Sequence, residues 1–401
     1  MRVLLASNAC YEPPQGGSTR SNLAWLRHMA HAGHSIQIVS SAPASQIDLT
    51  ARMTTEDGLA VLSVRDFPRR SALLSEEIRA FQPDWVLVSS EDLSHMLLRE
   101  AYRAAPERIV YLAHTPQFFP FGPASWHVDE KATGMVRNAA TVVAIGRHMG
   151  DYVEQHCGRP AAVIHPPIYG DGPFPNLAKF DSGIILMINP CPVKGVGIFL
   201  ALADRLPQYQ FGALEGWGTT EHDRDAIASR QNIRLLRRVA NIEDALRQSR
   251  VLLMPSLWYE GFGLVVMEAL LRGLPVIASD SGGLKEAKIG TDFVIPVQSI
   301  REWKPEFDAA HMPVPVMPEQ DIDSWVGAVE GLLGDRDVYE AESSRSKEAA
   351  QKFVQGLRAR DFEEFLERLP TSPTERKVRQ LTPEMRSLLL RRLQEPGRHR
   401  P

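Results

Sequence analysis

The fold is decided by residues 251–269, which read VLLMPSLWYEGFGLVVMEA. Val251–Met254 is a short apolar run that predicts a buried strand, and Pro255 ends it. After a loop that contains Gly261 and Gly263, apolar residues at helical spacing predict a helix that begins near Gly263. A strand that passes through a glycine-containing loop into a helix is typical of a doubly wound α/β sheet, with the loop at the carboxyl edge of the sheet.

The same alternation of short apolar strands and amphipathic helices runs through both halves of the chain. In the first half, a helix is predicted over Asn22–Ala32 and strands are predicted at Val3–Ser7, Ile36–Ser40, Leu59–Val64, Trp85–Ser89, Ile109–Ala113 and Thr141–Ile145. In the second half, strands are predicted at Ile184–Ile188, Tyr209–Ala213, Ile233–Leu236, Val251–Met254 and Pro275–Ala278. The proline- and glycine-rich residues 166–175 separate the two series and predict a linker.

Two such series predict an α/β protein with two Rossmann-like doubly wound domains that face each other across a cleft. We place the first domain at residues 1–168 and the second at residues 176–340. Charged helices over residues 341–369 are expected to pack back towards the first domain, and residues 370–401 form a basic tail with a short amphipathic helix. Substrates of such folds bind at the carboxyl ends of the strands, so the cleft is the expected site.

The composition excludes several other classes of protein. A length of 401 residues suits two domains, and a net charge of −4 gives no general attraction to nucleic acid. The cysteines, Cys10, Cys157 and Cys191, are too scattered for a disulfide framework or a zinc site. No stretch approaches the roughly 20 apolar residues of a membrane span. We expect a cytoplasmic protein, and contact of the basic tail with a membrane surface is an alternative.

The loop and helix start at residues 260–268 have chemistry that suits a nucleotide. Gly261 and Gly263 let backbone N–H groups approach an anion, and a helix N-terminus presents unsatisfied donors, so a diphosphate fits there without a metal ion. Glu268 lies about one and a half turns inside the helix, where a carboxylate can accept hydrogen bonds from the two vicinal hydroxyls of a ribose. Glu260 lies on the loop, where a sugar attached to the diphosphate would be.

Glu260 and Glu268, separated by seven residues around Gly-Phe-Gly, resemble the paired-glutamate motif of the family-4 retaining glycosyltransferases with the GT-B fold. Residues 270–286, which read LLRGLPVIASDSGGLKE, continue the resemblance. It implies that Glu260 contacts the donor sugar and that Glu268 holds the ribose. It also implies that the diphosphate is held by peptide N–H groups at Phe262, Gly263 and Leu264.

A second donor-binding loop is predicted at residues 188–195, which read INPCPVKG. Lys194 on this loop is suited to neutralise a leaving diphosphate. The family usually has Gly-Arg at the positions of Ile188 and Asn189, so one expected cation is missing. Either another cation compensates for it, or the diphosphate is held more weakly. Glu215 and Trp217 are expected to line the nucleotide pocket, with a plain turn as the alternative.

Three features of the first domain are expected at the cleft. Gly16 and Gly17 join the first strand to its helix and resemble the Gly-Gly loop of the family, whose backbone approaches the donor. His114 ends a strand, and the resemblance implies that it lies near the reacting sugar and the acceptor. Residues 117–126 are rich in Phe and Pro, and they form either a wall that faces the acceptor or a loop packed on the first domain.

Together these features predict a retaining, metal-independent glycosyltransferase that uses a UDP-, GDP- or dTDP-sugar, with His114, Lys194 and Glu260 in catalytic roles. The acceptor is open among saccharides, lipids and small molecules, in natural-product or glycan biosynthesis. One alternative is a related GT-B epimerase or phosphorylase. Another is a non-catalytic binding module in a multi-enzyme complex, for which Asn189 is the only sequence support.

The basic tail at residues 374–401 supports a separate prediction. Residues 381–393 read LTPEMRSLLLRRL and resemble the helix that leads into a condensation domain of a nonribosomal peptide synthetase. This resemblance implies an assembly-line neighbour. The alternative is a basic amphipathic helix that covers the first domain.

Overall fold

The computed structural model describes residues 1–14, 16–43, 50–370 and 385. The predicted assembly-line segment at residues 374–401 therefore lies outside the described residues, apart from Met385. The chain forms two large sheets and one short hairpin. The predicted architecture of two doubly wound α/β units is confirmed.

The first sheet has eight strands in the order β3-β4-β2-β1-β5-β6-β7-β8. Their bounds are β1 Arg2–Cys10, β2 Ser35–Ser41, β3 Ala51–Glu56, β4 Leu59–Val64, β5 Trp85–Ser89, β6 Ile109–Ala113, β7 Thr141–Ala144 and β8 Ala162–Val163. All neighbouring pairs are parallel except β3 with β4, in which Ala51 lies opposite Val64. Alternate residues of the central strands enter separate hydrophobic clusters, so both faces of the sheet are covered.

The second sheet has six parallel strands in the order β11-β10-β9-β12-β13-β14. Their bounds are β9 Ile184–Ile188, β10 Phe211–Leu214, β11 Ile233–Leu236, β12 Ser249–Met254, β13 Val276–Ser279 and β14 Val294–Ile295. An antiparallel hairpin follows, with β15 at Trp303–Phe307 and β16 at Pro313–Pro315.

The described residues contain thirteen α-helices. They are α1 Gly17–His31, α2 Phe67–Phe81, α3 Met96–Ala104, α4 Glu130–Asn138, α5 Arg147–Cys157, α6 Val196–Arg205, α7 Glu221–Ala228, α8 Ile242–Leu246, α9 Leu264–Leu271, α10 Leu284–Ala287, α11 Ile322–Leu333, α12 Arg336–Gln355 and α13 Asp361–Arg368. Within this part of the chain, every helix is too short or too polar to cross a bilayer.

The last two helices connect the two units. Helix α12 packs on α9, beside the second sheet, and buries an ion pair between Lys288 and Glu342. Helix α13 contacts α1, where the Phe362 ring stacks on Trp25 with centroids 4.6 Å apart. The segment after α11 therefore crosses from the second unit to the first.

Helix α1 begins earlier than the apolar periodicity predicts. The helix starts at Gly17, five residues before the predicted start at Asn22, because the intervening polar side chains are accommodated locally. Thr19 and Ser21 are buried, and the Ser21 hydroxyl donates a hydrogen bond of 2.9 Å to the Gly17 carbonyl. This early start brings Arg20 into the first turn of α1.

Candidate functional site

Each large sheet reverses its strand order at its first strand. Strand β1 lies between β2 and β5, and strand β9 lies between β10 and β12. Ligands of doubly wound sheets bind in the crevice at such a switch point. The loops after β9 and β12, which carry Lys194 and Glu260, are therefore brought together at one edge of the second sheet.

Lys194 and Glu260 meet in this crevice. Nζ of Lys194 lies 2.5 Å from Oε1 of Glu260, and the same oxygen accepts a hydrogen bond of 2.6 Å from Oγ of Ser256. The Lys194 and Glu260 side chains are only 14% and 12% exposed. Nζ also lies 4.3 Å from the centre of the Trp258 ring, a cation–π distance. Because an ammonium carries three N–H donors, this pairing leaves donors for a bound anion.

Helix α9 begins beside this pair. Gly263 precedes its first residue, Leu264, and the first N–H groups of a helix have no acceptor within it. The Phe262 side chain is buried and stacks on Phe353 with centroids 5.9 Å apart, so Phe262 faces the core with its ring. That the N–H groups of Phe262, Gly263 and Leu264 bind a diphosphate stays a prediction.

The glycine loop of the first unit lies against the start of α9. A Cβ at Gly17 would lie 3.1 Å from Cδ1 of Leu264, so Gly17 permits the close approach of the two helix starts. Gly16, the residue before α1, lies on the same loop. The crevice is therefore bounded on one side by residues of the first unit.

Glu268 is held by a residue of the first unit. Its Oε1 lies 2.5 Å from Nη2 of Arg20, while its Oε2 is buried and has no hydrogen-bond partner among the described residues. The residue is only 6% exposed. One carboxylate oxygen is thus anchored by Arg20, and the other is a buried acceptor whose hydrogen-bonding capacity is unused within the described residues.

His114 directly follows β6 and lies beside the Glu260 loop, since a Cβ at Gly261 would overlap the His114 carbonyl oxygen. Nε2 of His114 lies 2.9 Å from Oδ1 of Asn22, whose amide group donates to the Tyr11 hydroxyl at 2.9 Å. That arrangement places the imidazole proton on Nε2 and leaves a lone pair on the buried Nδ1. Burial lowers the pKa of His114, so the ring is a neutral hydrogen-bond acceptor.

Asn189 supports the loop after β10. Its Oδ1 accepts a hydrogen bond of 2.8 Å from the N–H of Gly218, and a Cβ at Gly216 would overlap the Asn189 side chain. The residue is buried with φ of 59°, a left-handed conformation that Asn tolerates better than most side chains. Asn189 therefore has a packing role at this position, and its contact with a donor stays a prediction.

Glu215 and Trp217 of the supported loop face different surroundings. Oε1 of Glu215 accepts a hydrogen bond of 2.7 Å from Nε of Arg224, on α7. The Trp217 ring is 43% exposed, and its centre lies 5.6 Å from that of Trp258 and 6.0 Å from Nζ of Lys194. Trp217 is consequently the residue of the two that adjoins the Lys194–Glu260 pair.

The aromatic residues at 117–126 divide between the two predicted alternatives. Phe119 and Phe121 are buried in the core of the first unit. Trp126 instead contacts the second unit, with its ring centre 6.2 Å from that of Trp258 and 5.2 Å from that of Trp303 on the hairpin. The segment is thus anchored on the first unit and reaches across to the second.

The Asp-x-Asp sequences at residues 321–323 and 335–337 have a spacing that also occurs in metal sites, but here their first carboxylates cap helices. Asp321 accepts hydrogen bonds from the N–H groups of Asp323 and Ser324 in α11, and Asp335 accepts them from the N–H groups of Asp337 and Val338 in α12. Asp223 completes a capping box with Thr220 at the start of α7. Within the described residues, one His/Glu group brings potential ligand atoms within 4.8 Å of one another, namely His34, Glu363 and Glu367 at the contact of α13 with the first unit. That the reaction needs no metal stays a prediction.

The sequence analysis assigned no role to four residues near the crevice: Arg20, Tyr169, Ser256 and Glu286. Ser256 could have been found, because it lies four residues before Glu260 on the same loop. The other three act across the boundary between units. Glu286, for example, accepts hydrogen bonds of 2.9 Å from the N–H groups of Arg147 and His148 at the start of α5.

Two family models match the chain in succession. The model for Glycosyltransferase Family 4 matches residues 15–169, and the model for Glycosyl transferases group 1 matches residues 184–307. No curated protein matches the sequence closely enough to count as a relative.

Solved structures with the same fold cover nearly the whole chain. Sucrose-phosphate synthase from Thermosynechococcus elongatus superposes with a TM-score of 0.70 at 16% identity, over 92% of this chain and 99% of that protein. Anabaena HepE in complex with UDP-glucose gives 0.65 at 15% identity, over 92% and 98%. Trehalose-6-phosphate synthase OtsA gives 0.63 at 13% identity, over 92% and 100%. With two matched models of the same enzyme class and the GT-B architecture along its length, the chain belongs to the family-4 glycosyltransferases with the GT-B fold.

Proposed function

We propose that this protein transfers a sugar from a nucleoside diphosphate sugar to an acceptor hydroxyl, with retention of anomeric configuration and without a metal ion. The observation that carries the proposal is the assembly of Lys194, Glu260, the start of α9 and Glu268 along one crevice between the units. Glu260 would contact the sugar, Lys194 and the α9 N–H groups the diphosphate, and Glu268 the ribose.

Electrostatic stabilisation of the leaving diphosphate is the main source of acceleration in this proposal. As the bond between the anomeric carbon and the diphosphate oxygen breaks, its electron pair stays on the diphosphate. Lys194 and the α9 helix start stabilise that negative charge, which is the part that a metal ion would otherwise play. The acceptor oxygen then bonds to the same face of the anomeric carbon, and its proton passes to the released diphosphate.

His114 is proposed to position the acceptor or to polarise the donor sugar. A neutral imidazole with a free Nδ1 lone pair can accept a hydrogen bond from a hydroxyl of either substrate. The low pKa that burial imposes keeps the ring neutral at physiological pH, so the histidine would not place a positive charge beside the oxocarbenium-like sugar.

A UDP-, GDP- or dTDP-sugar is the proposed donor. The similarity to HepE, whose structure contains UDP-glucose, supports a nucleotide sugar in general terms. The acceptor is proposed to be a saccharide, a lipid or a small molecule in glycan or natural-product biosynthesis. Trp126 and Trp217 flank the crevice and offer aromatic faces on which a sugar ring can stack.

Product stereochemistry tests the proposal directly. The protein is incubated in EDTA with a panel of nucleotide sugars and candidate acceptors, and the new glycosidic bond is assigned by NMR. The proposal predicts a product with the anomeric configuration of the donor. An inverted product, or transfer only after a divalent cation is added, would contradict it. The epimerase and phosphorylase alternatives predict acceptor-independent diphosphate release and phosphate dependence, respectively.

The alternative of a non-catalytic binding module was supported only by Asn189, and the contacts of Asn189 offer another reason for that residue. That residue packs under the Glu215–Gly218 loop, so its presence in place of an arginine is consistent with a local structural requirement. The assembly-line partner depends on residues 374–401 and stays a prediction from the sequence.

A further inference from the structure

Arg20 extends from the first unit into the crevice of the second. Helices α1 and α9 start side by side, at the contact of Gly17 with Leu264. Arg20 lies three residues beyond Gly17, and Glu268 lies four residues beyond Leu264, so each is about one helical turn from that contact. The guanidinium of Arg20 consequently reaches Oε1 of Glu268 at 2.5 Å. The Arg20 side chain stays 42% exposed, which leaves part of its N–H fork accessible.

Two polar atoms beside this pair are buried without a partner among the described residues. They are Oε2 of Glu268 and the hydroxyl of Tyr169, which lies on the segment between β8 and β9. Burial raises the pKa of Tyr169, and the charges of Glu268 and Arg20 act on its hydroxyl as well, so Tyr169 lies within electrostatic range of the pair. An unpaired buried carboxylate oxygen is costly, and a ligand that donates a hydrogen bond would satisfy it.

We propose that Arg20 and Tyr169 complete the ribose site of Glu268 and that this site selects ribonucleotide donors over deoxyribonucleotide donors, which narrows the proposed donors to UDP- and GDP-sugars. The inference rests on the proposed function and extends it to the class of nucleotide. Oε2 of Glu268 accepts a hydrogen bond from one hydroxyl of the vicinal diol, and the Tyr169 hydroxyl bonds to the other. Arg20 acts as a positioning residue, because it fixes the carboxylate through Oε1 and so leaves Oε2 for the ligand.

Since Arg20 and Glu268 belong to different units, their ion pair links nucleotide binding to the contact between the units. A nucleotide that binds Glu268 while Arg20 holds the carboxylate therefore stabilises that contact.

Equilibrium binding tests the inference with UDP, GDP, 2′-deoxy-UDP and 3′-deoxy-UDP as probes. In the wild type, removal of either ribose hydroxyl is expected to weaken binding at least about tenfold, because a buried polar group loses its partner. Arg20→Met is expected to weaken UDP or GDP binding at least about tenfold, and Arg20→Lys to restore part of it. Tyr169→Phe is expected to weaken ribonucleotide binding and to reduce the penalty for at least one deoxy analogue.

Arg27→Met is the matched control, since Arg27 lies on the same helix and pairs with Asp57 while 45% exposed. It is expected to bind like the wild type. The double variant Arg20→Met with Glu268→Gln should lose less than the sum of the single losses, which a purely structural role of Arg20 does not predict. Melting temperatures verify that each variant is folded.

The outcomes separate the inference from the function on which it rests. If the wild type binds UDP or GDP and Arg20→Met binds equally well, or if deoxy analogues bind as tightly as ribonucleotides, the inference is wrong and the proposed function stands. If the wild type binds neither nucleoside diphosphates nor nucleotide sugars, the proposed function is wrong, and the inference that rests on it is wrong as well.

Discussion

Lys194 is a charged residue with little exposure and several simultaneous partners. Its ammonium lies against the Trp258 ring and pairs with Glu260, which also accepts a hydrogen bond from Ser256. These contacts fix Nζ in the crevice before any substrate binds. A preorganised charge of this kind stabilises a leaving group without the cost of reorganisation during the reaction.

Replacing Lys194 with Met should reduce turnover much more than stability. We expect kcat to fall about 100- to 1000-fold, because the leaving diphosphate loses its cation while the side-chain stem is retained. The measurement is the steady-state rate of sugar transfer. Lys131→Met removes an exposed lysine on α4 and should react at the wild-type rate. Equal rates of sugar transfer for Lys194→Met and Lys131→Met would show that Lys194 has no role in the reaction.

For Asn189 we expect a loss of stability when the residue is replaced by the arginine that the family usually has at this position. Asn189→Arg should lower the melting temperature by several degrees, because the Gly216 backbone leaves no room for a larger side chain and the Gly218 N–H loses its acceptor. Nucleoside diphosphate affinity should not increase. Thermal unfolding and binding are measured on the same samples, and a stable variant with tighter binding would show that position 189 faces the donor.

Helix α5 is capped by a residue from the other unit. Its own N-cap, Gly146, has no side chain, and Glu286 of α10 accepts hydrogen bonds from the N–H groups of Arg147 and His148 instead. A Cβ at Gly146 would lie 3.0 Å from Oε2 of Glu286, so the glycine makes space for this cap. The same carboxylate lies 3.0 Å from Nε2 of His165.

Removing this cap should loosen the contact between the units. Glu286→Ala is expected to cost about 2 kcal/mol, the scale of a hydrogen bond to a charged group at a helix start. Denaturant unfolding measures the loss, and hydrogen exchange at the start of α5 locates it. Glu319→Gln alters an exposed glutamate and should change neither. Unchanged exchange at Arg147 and His148 in Glu286→Ala would contradict the capping role.

The same contact predicts a pH dependence. The hydrogen bonds from His165 and from the α5 N–H groups outweigh burial and lower the pKa of Glu286 from its ordinary value of 4.5. A depressed carboxyl pKa gives stability that is fully present above pH 4.5 and is lost as the pH falls through the folded-state pKa. The melting temperature of Glu286→Gln should therefore fall less steeply than that of the wild type below pH 4.5. Parallel curves would exclude Glu286 as a source of acid sensitivity.

Helix α12 is fastened to the second sheet by a buried ion pair. Nζ of Lys288 donates to the Val276 carbonyl at 2.5 Å and lies 3.4 Å from Oε1 of Glu342, and both side chains are 1% exposed. Burial lowers the pKa of Lys288 to about 8, the direction expected for an ammonium removed from water.

Breaking this pair on one side should be far more damaging than replacing both partners. Glu342→Ala is expected to cost about 3–5 kcal/mol, because the buried Lys288 loses its counter-ion and must either stay charged without a partner or give up its proton. The double variant Lys288→Met with Glu342→Leu should recover most of that loss. Denaturant unfolding compares the three proteins. A double variant less stable than Glu342→Ala would show that the charges themselves hold α12 in place.

Across the whole molecule, the bounds of the buried strands were easier to predict from the sequence than those of the exposed strands. Strands β4, β5, β6 and β9 have the predicted bounds, because buried strands read as short apolar runs. The edge strand β11 also has the predicted bounds, although two of its four residues are exposed. Strand β3 was not predicted, since its sequence ARMTTE is polar and lies at an exposed edge. The hairpin of β15 and β16 was not predicted either, because its strands contain proline and charged residues and do not read as apolar runs.

The candidate site was predictable where its residues follow one another along the chain. Glu260 and Glu268 share one loop and helix, and Lys194 lies on the loop of the neighbouring strand, so sheet topology alone brings them together. Arg20, Tyr169 and Glu286 owe their places to packing between units that are distant in sequence. No local pattern encodes that packing, and only the folded molecule shows that Arg20 meets Glu268.

We propose that the crevice binds a nucleotide sugar through Glu268 and releases its diphosphate without a metal ion, and the other proposals about the reaction depend on this step. The most direct test measures donor binding and slow diphosphate release in EDTA, across UDP-, GDP- and dTDP-sugars, for the wild type and Glu268→Ala. We expect binding and release with at least one donor and their loss in Glu268→Ala, while the melting temperature stays close to that of the wild type. Binding of no donor, or equal binding by both proteins, would contradict it.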